Sequence, residues 1–177
     1  MDIYECIRNR RSIRRYTEKP VPDEMLRRVL NAGRLAPSAV NLQPWRFIVV
    51  RSGEMRRALV DCTRGGKHLH LGMGPVALVA CGNERDCYQH QGNFLKTFAI
   101  DAAIALEHIM LAAAAEGLGT CWIGAFDETA VKDLLNIPDP WRVVAMTPLG
   151  YPDESPGFKG RKPLADIVCY EKWEEKD

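Results

Sequence analysis

The chain alternates short amphipathic segments with apolar runs, and two of those runs are apolar for nearly their whole length. Tyr4 and Ile7 suit the inner face of a short first helix opened by Asp2. Asp23 is placed to cap a second helix running to about Leu35, with Met25, Leu26, Val29 and Leu30 on one face. Trp45 to Val50 is β-branched and aromatic, so it predicts a strand, and Ser52 caps a third helix from about Glu54 to Thr63. Pro75 to Cys81 is the first wholly apolar run, of the length expected for a strand buried on both faces. The second is longer: Asn93 can cap a helix from Phe94 to about Glu116 that is apolar on nearly every side and ends at Gly117. A further strand is expected from Gly119 to Phe126, a short helix capped by Asp127 runs to about Leu135, and Trp141 to Leu149 forms another strand. Ile167 to Tyr170 in the tail can supply an edge strand or an extended arm.

About five strands and five or six helices, without strict β–α–β alternation, predict an α+β fold with a mixed sheet flanked by helices. A length of 177 residues favours one domain, 1–177. A helix of more than five turns that is apolar all round needs cover, and a subunit interface is the natural cover, so a homodimer is expected. The same helix carries Asp101, Glu107 and His108, which argue against a membrane span.

Composition narrows the function. Hydrophobic residues make up 46% and charged residues 27%, as in ordinary globular proteins. The formal net charge is +1, so no general nucleic-acid coat is indicated. The six cysteines form no C-x-x-C pair and mostly sit in apolar runs, which reads as buried thiols in a reducing compartment. Met1 is followed by charged residues instead of an apolar leader, so a cytoplasmic setting is expected. His68 and His70 lack a third metal ligand at useful spacing.

Charge is strongly local, however. Arg8, Arg10, Arg11, Arg14 and Arg15 crowd into eight residues with Ser12 among them and no acid. Such a run is either a solvated surface or a grip on an anion, for which arginine supplies a planar fork of donors. A second basic patch, Lys159-Gly160-Arg161-Lys162, lies almost a chain-length away, and the two could close on one phosphate. Between them, residues 37–45 form a loop rich in proline and polar amides directly before a buried strand, a favourable place for a site. The G-x-G pairs at 72–74 and 117–119 belong to no G-x-G-x-x-G, and no P-loop is present, so a Rossmann nucleotide site is not supported. No Cys–His spacing picks out a nucleophile.

Four segments together resemble the nitroreductase-like flavoproteins over essentially the whole chain: Arg10 to Tyr16, Pro37 to Trp45, Gly117 to Gly124, and Lys159 to Arg161. The resemblance implies a homodimer with FMN at the subunit interface. Arg10, Arg11 and Ser12 would hold the phosphate and ribityl chain, and Arg14 would lie near the pyrimidine edge. Arg161 and Lys159 would complete the phosphate site. Pro37, Ser38 and Ala39 of the partner subunit would contact the ring, with Asn41 bracing their loop. Ile123 and Gly124 would pass beside the ring, where a backbone N–H can reach N5. Ala39 stands where some relatives carry a second serine. The activity implied is FMN-dependent NAD(P)H oxidoreduction, with NADH or NADPH as donor and a nitroaromatic, quinone or flavin as acceptor. The protein itself need supply no nucleophile, catalytic base or metal. The alternatives are a flavin carrier or redox sensor without turnover, and a flavin-cleaving or dehalogenating member of the same fold.

Overall fold

A computed structural model of the chain describes residues 2–64 and 74–175. Lys67, His68 and His70 lie outside the described residues. The elements are α1 (Ile3–Asn9), α2 (Asp23–Arg34), a 3-10 turn (Ala39–Asn41), β1 (Trp45–Val50), α3 (Gly53–Asp61), β2 (Val76–Asn83), α4 (Phe98–Ala115), β3 (Gly119–Thr120), α5 (Glu128–Leu135), β4 (Trp141–Gly150) and α6 (Leu164–Ile167).

The α+β class holds. Among the described residues the sheet has four strands in the order β1-β2-β4-β3, each pair antiparallel. The parallel component expected of a mixed sheet is confined to one isolated bridge, Ser12 with Thr120. The reason is connectivity: the chain between β1 and β2 comes back to the end of the sheet where β1 finished, so β2 runs against it.

Strand β2 is buried along its whole length. Its side chains alternate between two cores. Val76, Leu78 and Ala80 join Leu26, Val29, Leu106 and Ile109 on the α2–α4 side. Ala77, Val79 and Cys81 join Leu59, Val131 and Met146 on the α3–α5 side. A strand covered on both faces has little room for polar side chains, which explains its apolar run from Val76 to Cys81.

Several boundaries differ from the pattern. In α1 the side chain turned inward is Cys6, while Tyr4 and Ile7 stay exposed. Pro22 takes the N-cap position of α2, and Asp23 is its first helical residue. Helix α4 starts at Phe98 after Thr97, because Gly92 and Asn93 adopt left-handed backbone in a tight turn bridged between Gln91 and Leu95. The strand after Gly117 stops at Thr120; beyond it only Ile123 bridges to Met146. The tail forms the short helix α6 up to Ile167, and Val168 to Tyr170 follow it without joining the sheet, Val168 with extended backbone. The cap at Gly117 is as expected: its φ is +76°, its N–H donates to Ala114 O, and that of Leu118 donates to Ala113 O, closing a Schellman motif.

Within one chain helix α4 is covered on one face only. Asp101, Ala102, Ala105, Leu106, Ile109, Met110 and Ala113 are buried, a single face at helical spacing. Ile104 remains 36% exposed, and His108, Leu111 and Ala115 line an open apolar groove with Ile3, Cys6 and Leu35.

Candidate functional site

The arginine segment follows α1, where Arg10 takes the C-cap position. From there the chain runs beside β3: Ile13 N–H donates to Thr120 O at 2.8 Å, and Ser12 bridges to Thr120. Tyr16 is buried and its hydroxyl donates to Ile13 O at 2.5 Å; burial pushes that phenol well above its ordinary range. The segment is therefore pinned to the sheet edge by backbone bonds, with its long side chains free to reach outward.

The far basic patch meets it there. Glu154 lies 140 residues after Arg14 and accepts the backbone N–H groups of both Arg14 and Arg15. It also pairs with the Arg15 guanidinium at 3.7 Å, and Asp153 N–H donates to Arg15 O at 2.9 Å. These bonds lay the chain after β4 along the arginine segment. They close a cleft of about 110 Å³ lined by Arg10, Arg11, Ser12, Arg14, Pro156, Gly157, Phe158, Lys159 and Arg161. That is space for several water-sized groups.

Among the described residues no acid lines this cleft, and Glu154 lines the cavity adjoining it. Phe158 stands between two of its cations, with the Arg11 guanidinium 5.1 Å and the Arg161 guanidinium 5.6 Å from its ring centroid. Arg11 also donates to Arg8 O at 2.6 Å and Arg10 O at 2.9 Å, and Arg161 donates to Gly160 O at 2.6 Å. Arg14 reaches Ser12 O at 3.3 Å. The side chains of Arg10 and Lys159 have no hydrogen-bond or ion-pair partner among the described residues. Glu154 is engaged by Arg14 and Arg15, and no acid pairs with Arg10, Arg11, Lys159 or Arg161 among the described residues; a dianionic phosphate would relieve the repulsion among those cations. The donor set thus fits the terminal phosphate of a mononucleotide.

Cys121 lies behind the cleft. Its N–H donates to Thr147 Oγ1 at 3.0 Å. Burial pushes its thiol up, an effect opposed by Arg14, by a bond with Ser12 and by Arg10. Ile123 is buried and its N–H is already committed to Met146 O at 2.8 Å. Gly124 is the exposed member of that pair, with the half-open indole of Trp122 beside it.

The 37–41 loop lies elsewhere. Pro37 and Asn41 are exposed, and Ser38 and Ala39 are half-buried. Ala39 N–H donates to Asp101 Oδ1 at 3.0 Å, near the start of α4. Ser38 Oγ accepts from Gln43 N–H at 2.9 Å, and Asn41 Oδ1 accepts from Gln43 Nε2 at 3.2 Å. The arginines sit at the other end of α4: an adjoining cavity is lined by Arg10 and Arg11 together with Ala114, Gly117 and Leu118. Asp101 and Gly117 are separated by about 24 Å of helical rise. Within one chain, therefore, the structure brings together the residues of 10–14 with 159 and 161, and keeps 37–41 apart from them.

Three organising residues escape the sequence pattern. Phe158 is signalled only as an aromatic beside Lys159, and Asp101 only as an acid in an apolar helix. Glu154 carries no local signal, since its role depends on a contact between distant segments.

The sequence profile of the nitroreductase family matches residues 7–67 and 67–151. The chain belongs to the nitroreductase family. An NADH dehydrogenase of Thermus thermophilus is 32% identical over 199 aligned positions, covering 96% of each chain. The solved structure of an FMN-dependent nitroreductase from Clostridium difficile superposes with a TM-score of 0.83 at 28% identity, covering 96% of this chain and 99% of that one. The NADPH:FMN oxidoreductase of Vibrio harveyi, solved in complex with NAD+, superposes with a TM-score of 0.89 at 28% identity, covering 99% of this nitroreductase-family chain and 79% of its own.

Proposed function

We propose that this chain is an FMN-dependent NAD(P)H oxidoreductase that works as a homodimer and delivers electrons to a small acceptor such as a nitroaromatic, quinone or flavin. The observation that carries the reading is the acid-free cleft in which Arg10, Arg11, Ser12 and Arg14 meet Lys159 and Arg161. In this reading Arg10 and Lys159 hold the phosphate, joined by Arg161, while Phe158 keeps the Arg11 and Arg161 planes in place. FMN held here would supply two-electron redox chemistry between a nicotinamide donor and the acceptor. The guanidinium of Arg14, which lines the cleft, would favour negative charge on a reduced flavin held there. With the Ile123 amide committed to Met146, the backbone available beside the ring is that of Gly124.

The separation of the two halves along α4 supports the dimer. One chain cannot close 37–41 and the arginine cleft on one ring. Two copies with their α4 helices antiparallel bring the start of one helix beside the end of the other, so each site draws 37–41 from the second copy. The open groove on α1, α2 and α4 offers the apolar surface for that contact.

The test is flavin uptake followed by reduction without air. The purified protein is expected to bind added FMN with a flavin absorbance band, and NADH or NADPH is expected to bleach it. A protein that takes up no FMN rejects the reading. Bound FMN that neither donor bleaches rejects the enzyme and leaves a carrier. A screen of nitroaromatics, quinones and free flavins then identifies the acceptor from the rate of reoxidation.

A further inference from the structure

Helix α4 is apolar along nearly its whole length but holds one buried carboxylate. Asp101 is 3% exposed. Its Oδ1 accepts the Ala39 amide at 3.0 Å, while its Oδ2 and the hydroxyl of Thr97, one turn earlier, are buried without a partner among the described residues. A buried carboxylate is costly unless its bonds compensate, so its presence in an otherwise apolar helix calls for a specific task.

The loop it grips is strained. Val40, Asn41 and Gln43 all have positive φ, at 51°, 56° and 50°. For a β-branched residue such as Val40 this backbone is a genuine outlier. The bonds from Ser38 and Asn41 to Gln43 stay inside the loop. The Asp101–Ala39 bond instead ties it to the framework helix.

We infer that Asp101 is a positioning residue for the flavin site: its carboxylate fixes the Ala39 amide and so holds the 37–41 loop in the shape that meets the cofactor of the second subunit. The role rests on the flavin reading above. The rival explanation is that Asp101 merely complements the positive end of α4.

The experiment titrates FMN into the flavin-free full-length protein, following fluorescence quenching and the visible circular dichroism of the bound flavin. Asp101→Ala is expected to weaken FMN binding about tenfold and to alter the dichroism. Asp101→Asn keeps an oxygen for the amide and is expected to restore most of the affinity, which a purely electrostatic role at the helix end would not allow. Ala39→Pro deletes the donor where the extended backbone of Ser38 (φ −143°, ψ 159°) admits proline, and is expected to reproduce the loss. If both residues act through one bond, the double variant Asp101→Ala/Ala39→Pro loses no more than the weaker-binding single variant. Wild-type affinity and dichroism in Asp101→Ala overturn the role, as do losses that multiply in the double variant. Should Asp101→Ala not fold, Ala39→Pro decides alone: weakened binding with a normal melting temperature supports the role, and unchanged binding overturns it. Wild-type protein that binds no FMN overturns the flavin reading and this role together, whereas wild-type binding with unaltered Asp101→Ala binding overturns the role alone.

Discussion

Arg10 and Arg11 are neighbours in sequence with different positions in the cleft. Arg11 is held by two backbone carbonyls and by the Phe158 ring, so part of its donor capacity is already used. Arg10 has no such partner among the described residues. Arg10→Ala is therefore expected to weaken FMN binding by about 2 kcal/mol, the worth of a charge-assisted bond. Phe158→Ala is expected to cost less, about 0.5–1 kcal/mol, because the stack is partly open to solvent. Fluorescence titration of the two variants checks the order, and equal losses would contradict it. The thiols carry an expectation of their own. Burial pushes Cys81 up to about 11 and raises Cys121 as well, so both stay protonated near neutral pH. Thiol-specific reagents should modify them only after denaturant is added. Residue types in the arginine run were legible without any structure; which arginine remained unpartnered was not, because that depends on where Arg8 O and Phe158 come to rest.

At the scale of elements, α2 and α4 approach closely at Gly33. A Cβ there would stand 2.7 Å from two atoms of the buried Ile109 side chain and 3.1 Å from Ala105 O. Gly33→Ala is expected to destabilise the fold by roughly 1–3 kcal/mol through overpacking. Urea denaturation checks it, and an unchanged midpoint would show that Ile109 can move aside. On the other face, α5 is tied to β4 by Glu128. Its carboxylate accepts from Arg142 at 2.7 and 2.8 Å and from Val143 N–H at 3.0 Å. Those bonds, with the Arg142 bond the largest influence, hold Glu128 below its ordinary value of 4.5. A carboxyl lowered by folding stabilises the fold above its unfolded value and loses that contribution as pH falls through the folded one. Stability should therefore decline below about pH 4.5, and Glu128→Gln should decline less steeply over that interval in denaturant midpoints measured across pH. The helices and strands of this region were legible from caps and apolar periods: Ser52 and Asp127 do cap α3 and α5. The start of α4 was not, since left-handed Gly92 and Asn93 consumed the residues expected to open it.

For the molecule as a whole, the decisive feature is an unfinished surface. Ile3 and Leu35, which line the α1–α2–α4 groove, are each more than half exposed, as are Tyr4 and Ile7 on α1. Sedimentation velocity should show a dimer, and Leu111→Asp, which places a charge in the groove, should shift it toward monomer and weaken FMN binding in parallel. A monomeric wild-type protein that still binds FMN tightly would overturn the shared site.

The sequence by itself determined the α+β class, the apolar β2 and α4, the Gly117 cap, the arginine run and the family resemblance. Each is a local pattern or a short motif, and local patterns follow from backbone sterics and burial preference over a few neighbouring residues. Only the tertiary structure decided that Glu154 carries the second basic patch to the first, that Asp101 anchors Ala39, and that residues 37–41 and the arginine cleft lie at opposite ends of α4. Those facts depend on contacts between segments far apart in the chain, which no window of sequence contains.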